Sequence, residues 1–297
     1  MSYETLDVTV AAGVARIAFN RPDKLNALTR VMLHELGSAL DAAAENDDVR
    51  VISLTGRGRA FCAGQDLSER DPRKLGGPLD LAAIQRELFH PIVRKLRETP
   101  KPVVACVTGV AAGAGAGIAL AADIVLASTD AKFALSFAKV GLSVDAGLGR
   151  ALAQGLGPAR ARAALMLGET LTAKQAAEAG LIWAAVPDPE LDAAHETLLE
   201  RLTHTPRTAL SGIKTAIAAA HLPLDAYLEI EAAALGAAPG RIPITPRASW
   251  RFSSAARPGF PETPSPRNPS ARMSFTRSSA EVCSAWPDVS SSAWARP

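Results

Sequence analysis

The sequence is poor in the groups that carry covalent and metal chemistry. Its three cysteines, Cys62, Cys106 and Cys283, form no CxxC pair and no disulfide framework, which points to a reducing, cytoplasmic setting. The five histidines (His34, His90, His195, His204 and His221) fall at no metal-ligand spacing, so no metal is expected. There is no G-x-S-x-G for a serine hydrolase. No basic-then-apolar leader opens the chain; MSYETLDVTV starts like a strand. Lysine is absent from residue 240 onward, where eight arginines face Glu262, Glu281 and Asp288. That tail carries +5 and the preceding residues −3, so the overall +2 gives no support for a nucleic-acid partner. The 297 residues suit one large domain or two small ones.

What is present centres on residues 107–123, VTGVAAGAGAGIALAAD. An apolar, β-branched run enters through Pro102, and an Ala-rich segment at 118–122 reads as helix. Between them stand Gly109, Gly113, Gly115 and Gly117. Strand, glycine turn and helix in succession bring free N–H groups to a helix start, where the dipole favours negative charge. The pattern predicts an anion-stabilising site and a second donor elsewhere. Three other readings compete. Residues 102–122 carry no charge and hold GxxxG spacing, as a membrane helix does, but four glycines after VVACV favour strand and turn, so no membrane partner is expected. The G-x-G-x-G spacing departs from the dinucleotide fingerprint. Close helix-on-strand packing without function remains open.

In chain order, residues 6–10 and 14–19 alternate around Ala11-Ala12-Gly13 as a hairpin. An amphipathic helix is expected near 29–45 with Thr29 as cap, and a buried strand at 51–55. A helix over 80–98 turns Leu81, Ile84, Leu88, Ile92 and Leu96 to one face, and Pro91 bends it. Strands follow at 124–127 and 132–135, then a loop at 139–147. Helices are expected at 148–153, 158–167, 173–179, 190–203, 207–220 and 224–235. Strands alternating with helices, then helices alone, indicate an α/β core with a helical carboxy-terminal region.

Beyond about Leu235 the composition breaks. Residues 240–297 hold nine prolines, twelve serines and no helical period, which at face value is a disordered tail. The sharper reading is a shifted frame. GC-rich codons for ITPRASWRFSSA (residues 244–255), read one nucleotide earlier, give a Tyr-Ala-Glu-Gly-Val-Val-Ala-Phe-Leu-Glu run, an ordinary amphipathic helix. An uninterrupted frame around codon 240 in independent isolates would sink this reading.

Three segments now coincide: Asn20-Arg-Pro-Asp-Lys-Leu-Asn-Ala-Leu28, Gly58-Arg-Ala-Phe-Cys-Ala-Gly-Gln-Asp-Leu67 and Thr108-Gly-Val-Ala-Ala-Gly-Ala-Gly-Ala-Gly117. Their order and spacing resemble the crotonase (enoyl-CoA hydratase/isomerase) superfamily over residues 6–235. The shifted-frame run resembles that superfamily's last helix. The resemblance implies an α/β, crotonase-like (ClpP/crotonase) spiral of ββα units over 1–186, a helical oligomerisation region at 187–238 and a tail at 239–297. It implies an acyl-CoA substrate, a homotrimer or dimer of trimers, and no cofactor beyond the coenzyme A of the substrate. It also implies two backbone N–H groups for the thioester oxygen, matched here to Ala63 and Ala114. An enolate next to a thioester puts its charge on that oxygen, and each such donor is worth roughly 2.7–4 kcal/mol. Lys24, Leu25, Gly64, Gln65, Asp66, Leu67, Gly113 and Gly115 are the implied acyl-CoA-binding residues. Lys24, Arg21 and Arg59 are candidates for the CoA phosphates, or else plain solvated charges. Asp66 reads as a cap for the Ala63 loop and Cys62 as a small buried residue.

Hydratases of the superfamily place glutamates where this chain has Gly117 and Phe137, neither of which moves a proton. The loop at 136–149 holds one carboxylate, Asp145, and burial among Phe137, Val140, Leu142 and Val144 would suit it as a base. The plainer reading is an N-cap for the next helix. One carboxylate that takes a proton from one carbon and returns it to another is an isomerase pattern. Fine detail resembles the isomerases of ring 1,2-epoxyphenylacetyl-CoA in aerobic phenylacetate breakdown, whose matching aspartate is catalytic. Ala146 stands where the family shows a second consecutive glycine. A Δ3,Δ2-enoyl-CoA isomerase, a hydratase-like enzyme and an inactive acyl-CoA binder lacking its last helix stay open.

Overall fold

Apolar and polar residues alternate through β1 (Leu6–Ala11), β2 (Val14–Phe19) is apolar but for Arg16, and Ala12 and Gly13, at φ 51° and 77°, close the two into an antiparallel hairpin. Positive φ at both central positions is the hairpin turn whose twist matches the strands. The structure is a computed structural model; it describes residues 3–70 and 80–236. The tail read above at 239–297 lies outside the described residues.

Helix α1 (Arg30–Glu45) starts as expected, with the Thr29 hydroxyl accepting from Met32 N–H, and buries Met32, Leu33, Leu36 and Leu40. β3 (Val51–Gly56) lies parallel to β2. The bent helix expected at 80–98 is three pieces: α2 (Leu81–Ile84), a π turn (Gln85–Phe89) and α3 (His90–Glu98). Pro91 is the cause. It lacks an N–H and its ring excludes the carbonyl four residues back, so the preceding turn widens and His90 N–H reaches Gln85 O instead.

Two successive units then repeat one plan. β4 (Val103–Val107) joins the main sheet, β5 (Val110–Ala112) a second sheet, and α4 (Ala114–Ala121) follows. β6 (Ile124–Ser128) again joins the main sheet, β7 (Lys132–Ala134) the second, and α5 (Leu148–Leu156) and α6 (Pro158–Leu167) follow. β8 (Thr170–Thr172), α7 (Ala173–Glu178), β9 (Ala184–Val186) and α8 (Asp188–His204) complete both layers. The main sheet runs β1-β2-β3-β4-β6-β9, parallel from β2 onward, and the second runs β5-β7-β8. β4 is buried on both faces, as a central parallel strand must be. β5, β8 and β9 were not expected; three residues are too few to show a period.

α9 (Arg207–Ala219) and α10 (Leu224–Gly236) pack on each other. Lys214 ties α9 to the core: its ammonium donates to Leu96 O (2.8 Å), Lys101 O (3.2 Å) and Asp123 Oδ2 (2.8 Å). On the far face of the main sheet α8 brings His195 to Ser53 of β3, 3.1 Å apart and both buried. No helix among the described residues is long and apolar enough to cross a membrane.

Candidate active site

Every residue of α4 is buried, and its glycines are what let it sit so deep. A Cβ on Gly115 would stand 2.6 Å from Cys62 O, and one on Gly117 would stand 2.7 Å from Ala146 O. The helix begins at Gly113, whose φ of 50° with ψ of −122° is open only to glycine. Gly113 N–H is used by Ala134 O of β7, at 3.0 Å. Ala114 N–H, the first of the helix, meets no acceptor among the described residues. It is the N–H that the sequence reading assigned as a donor.

The second donor is not where it was expected. The 60–67 loop lies between β5 and the 25–28 turn, and Gly64 at φ 89° breaks the regular alternation of its amides between the two sides. Phe61 and Cys62 N–H donate to Thr108 O and Val110 O. Ala63 N–H donates the other way, to Leu25 O at 2.9 Å, so it is unavailable to an oxyanion. Gly64 O accepts from Leu28 N–H at 2.8 Å on that same side. A trans peptide sets the Gln65 N–H antiparallel to the Gly64 carbonyl, hence toward β5 and α4. A Cβ on Gly64 would lie 2.8 Å from Ala112 O and 3.7 Å from Ala114 N, so the loop and the helix start are in contact there. Gln65, not Ala63, has the amide orientation that the role demands. The sequence carries no sign of this, because the direction of each amide is fixed by pairing with residues some forty positions away.

The loop is held by the first motif. Leu25 and Asn26 both adopt positive φ, 50° and 57°, which aims the Leu25 carbonyl at Ala63. Asn26 is fully buried and satisfied: Nδ2 donates to Arg57 O (3.0 Å) and Ala60 O (2.7 Å), and Oδ1 accepts from Arg21 N–H (2.9 Å). Arg21 Nη1 donates to Asp66 Oδ2 at 2.9 Å and to Ala27 O, which makes it a loop clamp rather than a phosphate ligand. Burial alone would raise the Asp66 pKa, but Ser68 and Arg21 outweigh it and hold the carboxyl below its ordinary value. Asp66 therefore orders the loop. Lys24, Arg59 and Leu67 are exposed around it. Burial pushes the Cys62 thiol up to about 12, which leaves it no nucleophile.

Asp145 lies half-buried before α5, and its Oδ2 accepts from Gln85 Nε2 at 3.1 Å. It is not a helix cap: the α5 N-cap is Gly147, with no side-chain bond. Its surroundings differ from expectation in part. Phe137 is buried, but Val140, at the end of the 3₁₀ turn Ala138–Val140, is 65% exposed and Val144 37% exposed. Ala146 carries φ 48°, the conformation glycine would take more readily, and its carbonyl and methyl cover Gly117. The Phe137 ring lies 3.7 Å from the Cβ position of Gly113. Residues 117 and 137 are thus both engaged in apolar packing. Among the described residues no cluster of three or more His, Cys, Asp or Glu side chains could hold a metal.

Comparison with known proteins agrees with this architecture. The family profile described as enoyl-CoA hydratase/isomerase matches residues 9–240. An Escherichia coli K12 protein named 1,2-epoxyphenylacetyl-CoA isomerase is 41% identical over 223 residues, 75% of this chain and 85% of its own. A 2,3-dehydroadipyl-CoA hydratase of the same strain is 34% identical over 205 residues, 69% of this chain and 78% of its own. Among solved structures, an enoyl-CoA hydratase from Polaromonas sp. JS666 superposes with a TM-score of 0.71 at 30% identity, covering 78% of this chain and 90% of that one. The fold is crotonase-like, and the chain belongs to the enoyl-CoA hydratase/isomerase family.

Proposed function

We propose that this protein is an acyl-CoA isomerase acting on 2-(1,2-epoxy-1,2-dihydrophenyl)acetyl-CoA. One observation carries the reading. Gly117 and Phe137 offer no proton-transferring group, and the loop that packs on Gly117 carries the carboxylate of Asp145. The similarity to the E. coli enzyme of that name supports the choice of substrate. In the proposed reaction Asp145 removes a proton from the carbon beside the thioester carbonyl. The electron pair moves onto the thioester oxygen, where the N–H groups of Ala114 and Gln65 receive the charge. The epoxide ring expands to the oxepin as the carboxylic acid returns its proton to another carbon. No atom is gained or lost, and Asp145 ends ionised.

Asp145→Asn tests the base: turnover should fall by about 10²–10⁴-fold while acyl-CoA affinity is kept. A panel of CoA esters tests the substrate. The epoxide should be consumed faster than a 3-enoyl-CoA, the substrate of a Δ3,Δ2-isomerase, and faster than crotonyl-CoA is hydrated. Retention of every ester with no turnover would refute the enzyme reading in favour of an acyl-CoA binder. We also propose that the helical region at 187–238 assembles subunits, since Ile213, Ile217, Leu224 and Leu235 lie exposed along α9 and α10. Sedimentation of the full chain as a monomer would refute this.

A further inference from the structure

Gln85 touches the Asp145 segment with both ends of its amide. Nε2 donates to Asp145 Oδ2 at 3.1 Å, and Oε1 accepts from Ala146 N–H at 3.4 Å. A single side chain thus orients the carboxylate and holds the backbone of the next residue, as an uncharged amide with donor and acceptor at one tip can. The backbone it holds needs holding. Ala146 at φ 48° and Gly147 at φ 72° turn the chain sharply between the carboxylate and α5. A non-glycine residue stays in that region only where its surroundings over-determine it. Gln85 itself owes its place to a local irregularity. It opens the π turn that Pro91 imposes, and the extra residue in that turn re-registers Gln85 relative to Ile92 and Leu96, which are locked in the core. Single-turn π insertions are a recurrent means of aiming one side chain at a site.

We propose that Gln85 is the positioning residue for Asp145: its N–H fixes the carboxylate in the orientation from which the proton is taken and returned. This rests on the reading of Asp145 as the proton carrier.

Two variants separate the carboxylate contact from the backbone contact. Gln85→Leu removes both. Gln85→Glu keeps the shape and the acceptor for Ala146 N–H but replaces the donor with a second carboxylate. With 1,2-epoxyphenylacetyl-CoA, and trans-3-hexenoyl-CoA as a second probe, both variants should lose about tenfold to a hundredfold in kcat. KM should stay within about twofold and the melting temperature close to that of the parent. Parental kcat in Gln85→Glu with loss in Gln85→Leu would assign the effect to the Ala146 amide and overturn the proposal. So would a fall in kcat matched by a rise in KM or by a lowered melting temperature, which marks a structural role. Asp145→Asn, measured alongside, keeps the two readings apart. If it is inactive while both Gln85 variants turn over normally, only the Gln85 assignment fails; if it turns over normally, the Asp145 reading fails first.

Discussion

Gly117→Ala is a one-carbon change whose effects on stability and on turnover should separate. The added Cβ would stand 2.7 Å from the Ala146 carbonyl oxygen and 2.8 Å from its methyl. Ordinary contact begins at 3.4 Å, so the Ala146 backbone must retreat by roughly 0.7 Å. Two effects oppose each other in stability. Alanine in place of glycine inside a helix gains about 1 kcal/mol, and an overpacked methyl costs about 1–3 kcal/mol. The net loss should therefore not exceed about 2 kcal/mol, a melting shift of a few degrees at this chain length. Turnover has no such compensation. Asp145 precedes the displaced residue, and a misplacement near 1 Å at a reacting centre costs about a hundredfold. Calorimetry and kcat on the same preparation give the comparison: kcat should fall at least tenfold while the melting point moves by less than about 8 °C. Parental values of both would show that Ala146 does not rest on Gly117, and the account of the site would fail. The same contact bars a glutamate at residue 117, so Gly117→Glu alone should not produce a hydratase.

Lys214→Met keeps the buried stem but removes the ammonium from Asp123, Leu96 O and Lys101 O, at a cost of about 3 kcal/mol. Amide exchange should accelerate through α9, and unchanged protection there would refute its role as the tie. Burial pushes the His195 pKa below its ordinary value, with Glu196 pulling the other way and Arg16 adding to the fall. The unfolded chain therefore takes the proton first, near pH 6.5, and this contribution is intact above that pH and lost as pH falls through the window below it. Denaturant midpoints from pH 7 to 5 should drop more steeply for the parent than for His195→Asn; parallel curves would refute the assignment.

The sequence made the larger elements legible because their signals are local. Thr29 ahead of an apolar period marks α1, and five unbroken apolar residues mark β4. The glycines at 113, 115 and 117 marked the helix start by their spacing, but the packing that two of them permit could not be seen: a Cβ at 115 would strike Cys62 and one at 117 would strike Ala146. What stayed hidden depends on pairing at a distance. Ala63 and Gln65 differ only in which neighbour takes which amide, and that is settled by the Leu25–Leu28 backbone. Gln85 falls within the single helix expected at 80–98, and nothing local says that Pro91, six residues further on, turns residues 85–89 into a π turn. The outward-facing Val140 and Val144 show the converse, apolar residues whose burial could not be inferred from composition.

In the proposed reaction the groups that face the developing charge, at Ala114 and Gln65, belong to the main chain, while the acid, Asp145, sits on a separate loop. Exchanging side chains at 65 or 114 cannot delete those dipoles; only shifting the ribbon that bears them can. Chemical choice is therefore decoupled from charge handling: the acid at 145 can be exchanged while the amides that meet the charge stay where the backbone puts them. Inheritance of such a frame constrains backbone shape far more tightly than it constrains residue identity.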